Sequence, residues 1–175
     1  MSTKKTKAEK ILSKLRRLPE NKICADCEEE STFGFSHVCV KYNIFVCPKC
    51  KSAHQAYSHR VKDLLMSTFA IEEAQRLMHK NGGGNARNRQ RYYGKLSDSQ
   101  LSKRKPGRDA DMGQIKDWIC TVYEDEAYLV EKGAVATRNG AKKKKKKKKK
   151  TTSANREEEE WNAFGNDDDD FKEER

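Results

Sequence analysis

The sequence lacks any long apolar run, and this absence sets the first limits on what the protein does. No stretch approaches the ~20 consecutive apolar residues that a membrane-spanning helix needs. The opening residues, MSTKKTKAEK, lack the apolar core of a secretory signal. We therefore expect a soluble protein in a reducing compartment, the cytoplasm. Its 6 cysteines are then expected to be metal ligands or free thiols, because disulfides are rare there.

Apolar residues are also scarce overall, at 34% of the chain against 37% charged residues. They are concentrated before Lys132, and the part that follows is almost entirely polar. This distribution predicts one domain over residues 8–132 between a disordered N-terminus, residues 1–7, and a disordered tail, residues 133–175. The tail has too few apolar residues to bury the surface that folding requires.

The net charge of +11 is unevenly placed, which weakens it as evidence for nucleic-acid binding. Lys142 to Lys150 form an unbroken lysine run, whereas residues 156–175 hold three basic and ten acidic residues. The remaining basic charge is spread over all the predicted elements. It fits an anionic membrane, an acidic protein partner or RNA about equally. Since the sequence has no basic stripe interleaved with aromatics and no RNA-recognition motif, a nucleic-acid partner ranks last.

Two Cys-x-x-Cys pairs carry the most specific signal. They are Cys24 with Cys27 and Cys47 with Cys50, and 19 residues separate the pairs. Each pair can form a tight turn that directs two thiolates at one ion, and two such turns complete a tetrahedron. The spacing therefore predicts one structural Zn²⁺ with four protein ligands and no open position for water. Unrelated free or redox-active thiols are the alternative.

The other cysteines and histidines fall outside this predicted site. Cys39 and Cys120 are expected to pack as small apolar side chains. His37, His54 and His59 are ligand candidates by residue type. With four cysteines already in place, we expect structural or surface roles for these histidines.

Apolar periodicity predicts an α+β fold, a small four-cysteine zinc module whose short β-sheet is surrounded by helices. Helices are expected over residues 8–18, Pro48 to about His59, Ser67 or Thr68 to Gly82, Asn88 to Lys95, and Met112 to Tyr123. Alternation over Val38 to Val46 predicts one half-buried strand, and Val61 to Leu65 a second. Ser97 to Gly107 is expected to be a polar, basic loop.

Several short motifs together resemble the ArfGAP domain, the zinc-containing GTPase-activating module for ADP-ribosylation factor (Arf) GTPases. They are Asn21 to Cys27, Phe45 to Cys50, His54, His59-Arg-Val-Lys62 and Gly83-Gly-Asn85, within a resemblance from about Ala8 to Lys132. The short spacing before His59-Arg-Val-Lys62 is similar to that of Arf-GAPs with FG repeats and their plant relatives. The resemblance implies a regulator that binds Arf GTPases and stimulates their GTP hydrolysis in vesicle trafficking, not an enzyme itself. It also implies GTPase contacts at Arg60 and Lys62.

The chain departs from the family pattern at two places. The cysteine pairs are farther apart than is usual, with the extra residues at Glu29 to Thr32. More importantly, the family carries an arginine finger five residues after its last zinc cysteine, and this sequence has Gln55 there. Such an arginine is worth ~10³–10⁵ in rate, and a neutral amide does not replace its charge. The resemblance therefore implies impaired activity, with a non-catalytic Arf-binding adaptor as the alternative.

Two nearby cations are candidate substitutes for the missing arginine. At ~100° per residue, Arg60 lies ~140° around a helix from Gln55, on a different face. A role for Arg60 in packing or partner contact is therefore expected. Lys51 is closer to Gln55, but its single ammonium lacks the planar guanidinium fork.

Two features of the tail have predicted partners. The run Lys142 to Lys150 fits anionic lipid headgroups, at ~1 kcal/mol per basic residue, a nuclear-import signal or nonspecific RNA binding; a low-complexity expansion is an equal alternative. Trp161 and Phe164 resemble Trp-x-x-Phe peptides that dock on appendage domains of clathrin adaptors. The alternative is that their acidic neighbours fold back onto the lysines. We expect a cytoplasmic protein that is peripheral on Golgi or endosomal membranes. The lysine run would also allow it to enter the nucleus.

Overall fold

The computed structural model describes residues 5–130, which form helices around a three-stranded antiparallel sheet. The helices are α1 (Lys7–Leu15), α2 (Pro48–Ala56), α3 (Ile71–Arg76), α4 (Asn85–Tyr92), α5 (Asp98–Arg104) and α6 (Met112–Ile119). The strands are β1 (His37–Cys39), β2 (Ile44–Val46) and β3 (Val61–Asp63), in the order β2-β1-β3. Short 3₁₀ turns lie at Pro19–Asn21 and His79–Asn81, and a π-helical turn, Cys120–Glu124, follows α6.

The predicted tail, with its lysine run and the Trp161 to Phe164 motif, lies outside the described residues. At the other end, α1 begins one residue before the predicted domain boundary. The Thr6 hydroxyl accepts a hydrogen bond from the Glu9 amide at 3.2 Å, and the Glu9 carboxylate accepts one from the Thr6 amide at 2.8 Å. This reciprocal capping box starts the helix within the segment predicted as terminal.

The single strand predicted across Val38 to Val46 is wrong. A turn divides it into β1 and β2, with Asn43 at a φ of 55°, in the left-handed region that asparagine tolerates. All of β2 is buried, so no apolar–polar alternation marks where it begins. The strand predicted from Val61 is confirmed as β3, which pairs with β1 through Asp63 opposite His37.

The bounds of α2 and α3 also differ from the prediction. α2 ends at Ala56 rather than near His59, because Ser58 has a φ of 58° and reverses the chain toward β3. α3 starts after Ala70, not after Ser67 or Thr68. The Ala70 amide donates to the Glu73 carboxylate at 3.0 Å, so the glutamate supplies the cap that the alanine side chain does not.

The segment predicted as a basic loop contains α5. The Ser97 hydroxyl accepts a hydrogen bond from the Gln100 amide at 3.3 Å, and the Gln100 side chain accepts one from the Ser97 amide at 2.9 Å. This Ser-x-x-Gln capping box was readable in the sequence and outweighed the polar composition. α4 begins three residues earlier than predicted, directly after Gly84.

The core lies between α2, α6 and the sheet, with α1 packed against α3 beside it. Its fully buried apolar side chains include Leu12, Leu15, Val38, Ile44, Phe45, Val46, Leu77, Ile115, Ile119 and Val122. None of the helices within residues 5–130 has both the length and the apolar character needed to cross a bilayer.

Candidate metal centre and the turn after α2

Four buried cysteines converge at the amino end of α2. Cys24, Cys27, Cys47 and Cys50 are each at most 2% exposed, and their sulfurs all lie within 4.8 Å of one another. The Sγ atoms of Cys27 and Cys47 are 3.7 Å apart. Thiolates placed about 2.3 Å from a tetrahedral zinc are separated by about 3.8 Å. The donor set and its spacing therefore fit Zn²⁺.

Backbone amides point at these sulfurs. The Cys47 amide donates to Cys24 Sγ at 3.3 Å, and the Cys50 amide donates to Cys47 Sγ at 3.4 Å. Cys47 is also the N-cap of α2, where the helix dipole favours negative charge. The local backbone thus stabilises thiolates in this position.

The four thiols compete for protons, which is why a cation suits them. Burial raises the pKa of Cys24 well above its ordinary value, and a hydrogen bond with Cys24 raises the pKa of Cys50. A hydrogen bond with Cys24 lowers the pKa of Cys47. Four thiolates can coexist here when a divalent cation offsets their charge. These residues would hold zinc as a structural ion with no open position.

Asp26, between the first two cysteines, ties the metal centre to the helices. It is fully buried, and its Oδ1 accepts a hydrogen bond from the Tyr123 hydroxyl at 2.7 Å. The Tyr93 hydroxyl donates to the Ala25 carbonyl at 2.9 Å. The sequence pattern predicted packing for Tyr93 and Tyr123, but it did not predict these hydrogen bonds or any role for Asp26. The position of Asp26 between two cysteines of a predicted metal site could have indicated such partners, because a buried carboxylate needs hydrogen bonds or an opposite charge.

A buried chain of hydrogen bonds runs from Asp26 through two histidines. Asp26 Oδ2 lies 2.9 Å from His54 Nε2, His54 Nδ1 lies 2.8 Å from His59 Nδ1, and His59 Nε2 lies 2.7 Å from Glu124 Oε1. Since each Nε2 faces a carboxylate, each donates to it, and one further proton must lie between the two Nδ1 atoms.

That proton belongs to His54. Burial by itself would lower the pKa of His54, but the charge and hydrogen bond of Asp26 outweigh it and raise the pKa to about 10. Burial lowers the pKa of His59, which stays neutral and accepts the proton of His54. The chain therefore carries a buried ion pair at its Asp26 end.

Cys39, His54 and His59 form a second group of ligand-type side chains within 4.8 Å of one another. Two imidazole nitrogens on a tetrahedral zinc would be about 3.3 Å apart. The 2.8 Å between the two histidines fits an N–H···N hydrogen bond instead. We assign no metal to this group, and both histidines have the structural role expected for them.

The Gly83-Gly-Asn85 motif joins the two cysteine-bearing segments. Gly84 has a φ of 82°, which a residue with a side chain rarely adopts, and it leads directly into α4. The side-chain Nδ2 of Asn85 donates to the Ile23 carbonyl at 2.7 Å and to the Phe45 carbonyl at 3.0 Å. The Oδ1 atom of the same side chain accepts a hydrogen bond from the Phe45 backbone amide at 2.8 Å. One buried side chain thus positions both cysteine turns.

Gln55 lies in the last turn of α2 and is exposed. Within residues 5–130 its side chain makes no hydrogen bond. Beyond it the chain turns back, and two backbone hydrogen bonds fix this turn: Ser58 N to Gln55 O at 3.0 Å, and His59 N to His54 O at 3.1 Å. The predicted placement of Arg60 on a different face of the same helix is wrong, because α2 ends at Ala56 and never reaches Arg60.

Three cations, Lys51, Arg60 and Lys62, flank this turn in the sequence, and they differ in their partners. The Lys62 ammonium forms an ion pair with the Glu73 carboxylate. Lys51 is half-buried, and its charge, after burial, is the second cause of a lowered pKa at His37. Arg60 is exposed and has no ion pair or side-chain hydrogen bond with any residue that the structure describes. Lys51 likewise has no ion pair or side-chain hydrogen bond within residues 5–130, so Arg60 differs from Lys51 in being exposed and from Lys62 in being unpaired.

Comparisons with known proteins agree with this architecture. Residues 9–132 match ArfGap, described as "Putative GTPase activating protein for Arf". The chain is 33% identical over 120 residues to "Probable ADP-ribosylation factor GTPase-activating protein AGD14" of Arabidopsis thaliana, covering 69% of this chain and 17% of that protein. It is 31% identical over 134 residues to Arf-GAP domain and FG repeat-containing protein 1 of Homo sapiens, covering 74% of this chain and 22% of that protein.

A solved structure gives the same result for the fold. The chain superimposes on the "ArfGap domain of HIV-1 Rev binding protein" with a TM-score of 0.60 and 28% identity, covering 71% of this chain and 89% of that chain. In contrast, this chain spans less than a quarter of the length of either curated relative. The similarity therefore concerns one domain of those longer proteins.

Proposed function

Since this chain belongs to the ArfGap family, we propose that it binds an Arf-family GTPase and stimulates the GTPase's hydrolysis of GTP only weakly. In this proposal residues 8–132 form the GTPase-binding domain and one structural Zn²⁺ holds it together. Arg60 and Lys62 contribute to GTPase contact. The chain acts as an activator of another protein's reaction, in vesicle trafficking at the cytoplasmic face of Golgi or endosomal membranes.

Gln55 carries the proposal of weak activity. The family that the sequence resembles has an arginine finger at this position, and that guanidinium neutralises negative charge on the transferred phosphoryl group. An amide supplies hydrogen-bond donors but no charge. The four-cysteine cluster supports the comparison of positions, because Cys47 and Cys50 set the start of the same helix that ends just after Gln55.

Single-turnover hydrolysis on GTP-loaded Arf-family GTPases tests this proposal. The rate enhancement given by the wild-type chain should be at least ~10²-fold smaller than the ~10³–10⁵-fold enhancement that an intact arginine finger gives. Gln55→Arg should raise the rate at saturating chain concentration by ~10²-fold or more while the affinity for the GTPase stays within ~3-fold. Gln75→Arg, at an exposed glutamine of α3, adds the same charge elsewhere and should leave the rate unchanged. A wild-type stimulation near ~10⁴-fold would rule out the impairment.

The second candidate is a non-catalytic adaptor, and the neutral Gln55 favours it too. The adaptor would bind GTP-loaded Arf without stimulating hydrolysis, either as wild type or as Gln55→Arg. Its other contacts would come from the tail outside the described residues. Lys142 to Lys150 would bind anionic lipids, and Trp161 and Phe164 would bind appendage domains of clathrin adaptors. The lysine run would also serve as a signal for nuclear entry.

A further inference from the structure

We propose that Arg60 contacts the γ-phosphate of GTP on the bound GTPase and supplies part of the positive charge that Gln55 lacks. The inference rests on the proposed function, since it requires an Arf-family GTPase bound against the turn after α2. It assigns a catalytic contact to a residue for which the sequence pattern favoured packing or partner contact.

The first step is the path of the chain. α2 ends at Ala56, and Ser58 adopts a left-handed φ of 58°, so the backbone reverses within two residues. The Ser58 amide bonds back to the Gln55 carbonyl at 3.0 Å. Gln55 and Arg60 therefore stand on the two sides of one tight reversal, where a continuous helix would have separated them around its axis. The exposed Arg60 side chain therefore starts from backbone that lies just across this turn from Gln55.

The second step is that the backbone carrying Arg60 is fixed on both sides. His59 is 2% exposed and is held between His54 and Glu124 by hydrogen bonds of 2.8 and 2.7 Å. The Arg60 carbonyl accepts a hydrogen bond from the Val40 amide at 2.9 Å, which attaches it to the end of β1. Only the side chain of Arg60 is free to move, so little backbone entropy is lost when it meets a ligand.

The third step is that Lys62, the cation two residues after Arg60, is already engaged, whereas Lys51, which has no ion pair within residues 5–130, is half-buried on α2. The Lys62 ammonium pairs with Glu73, donates to the Thr68 carbonyl at 2.9 Å, and lies 4.7 Å from the centre of the Phe69 ring. Arg60 contributes to the lowered pKa of Glu73, but the leading cause is the hydrogen bond from Lys62. The Arg60 guanidinium is therefore exposed near a carboxylate that already has its cation.

GTP hydrolysis develops negative charge that a nearby cation stabilises. In GTP hydrolysis the oxygen of a water attacks the γ-phosphorus, the bond from that phosphorus to the β–γ bridging oxygen breaks, and GDP leaves with the bridging oxygen. The water's proton ends on the inorganic phosphate, and negative charge grows on the leaving oxygen in the transition state. Arg60 forms no covalent bond. Its planar N–H donors and permanent charge stabilise the γ-phosphate oxygens and the leaving oxygen. A lysine ammonium stabilises them less well, because it lacks the planar fork of donors.

The test uses the full chain in single-turnover hydrolysis on GTP-loaded Arf-family GTPases, with affinity measured in parallel. Arg60→Ala should lower the saturating stimulated rate ~10-fold or more and change the affinity by less than ~3-fold. Arg60→Lys should retain an intermediate rate. In the Gln55→Arg background, Arg60→Ala should lower the rate by at most ~2-fold, because the new guanidinium supplies the charge. Arg17→Ala is the matched control, at an exposed arginine of the described region without a side-chain hydrogen bond.

Three results would overturn the inference, and they are distinguishable. If Arg60→Ala weakens binding equally in both backgrounds and leaves the saturating rate unchanged, Arg60 is a binding contact alone. If the wild-type chain binds GTP-loaded Arf without stimulating hydrolysis, Arg60 supplies no useful charge, while the adaptor form of the proposed function stands. If no Arf-family GTPase binds, the proposed function fails and this inference fails with it.

Discussion

The two ends of α2 are built from different kinds of interaction. At the amino end, Cys47 and Cys50 are buried, and their backbone amides donate hydrogen bonds to the sulfurs of Cys24 and Cys47 in the four-cysteine cluster. At the carboxyl end, Gln55 is exposed and contacts no other described side chain through a hydrogen bond. A metal centre tolerates few ligand substitutions, whereas an exposed side chain changes with little effect on folding. The metal centre that fixes the fold and the side chain that α2 exposes at position 55 can therefore change independently, although both lie on one short helix.

The strongest test of this separation is the removal of a metal ligand. Cys50→Ser should abolish cooperative folding, because structural zinc contributes ~10 kcal/mol or more to domains of this kind, which exceeds the whole stability of many domains. Zinc content by mass spectrometry and thermal unfolding by circular dichroism would measure the loss. Treatment of the wild-type chain with a strong chelator should give the same unfolding curve.

Cys39→Ala is the matched control for the ligand substitution. Cys39 is as buried as Cys50 but lies outside the four-cysteine cluster. Its replacement should keep one zinc per chain and reduce the free energy of unfolding by about 1–2 kcal/mol, the effect of a small buried side chain. Equal damage from the two substitutions would show that the amino end of α2 is held by packing and not by a metal.

A smaller effect is expected from the ion pair that joins the two ends of α2. Asp26→Asn should lower the free energy of unfolding at pH 7 by about 3–5 kcal/mol, because it leaves the buried charge of His54 without its partner. Urea unfolding would measure the change. Asp98→Asn is the control, since it removes an exposed pair with Arg89 and should have no measurable effect. Zinc binding should persist in both variants.

The same pair predicts a pH dependence with a definite sign. The pKa of His54 is raised to about 10 in the folded chain, from about 6.5 when unfolded. The stabilisation is therefore complete below about pH 6.5 and is lost as the pH rises toward about 10. In Asp26→Asn this slope should disappear between those pH values, which urea unfolding at pH 6, 8 and 9.5 would show. If the stability difference between wild type and Asp26→Asn does not shrink over this interval, the assignment of the proton to His54 is wrong.

The contrast between the ends of α2 also explains what the sequence could predict. The metal centre was predictable because the Cys24 and Cys47 pairs have a spacing that few other structures require. The histidine chain was not, because its members are far apart in sequence and nothing local shows that His59 meets Glu124. The end of α2 was missed because a left-handed serine has no sequence signal comparable to glycine.

The smallest predicted effect lies at the carboxyl end and tests whether Glu73 restrains the charge there. Glu73→Gln keeps an oxygen to cap the Ala70 amide but loses the ion pair with Lys62, so it should lower the free energy of unfolding by about 0.5–1 kcal/mol. Glu72→Gln, at the exposed neighbour on α3, should have no measurable effect. In single-turnover hydrolysis, Glu73→Gln should partly restore the rate lost in Arg60→Ala, because it releases the Lys62 ammonium beside the turn. A rate unchanged by this release would show that a free charge near the turn is not enough, and that the position of Arg60 itself matters.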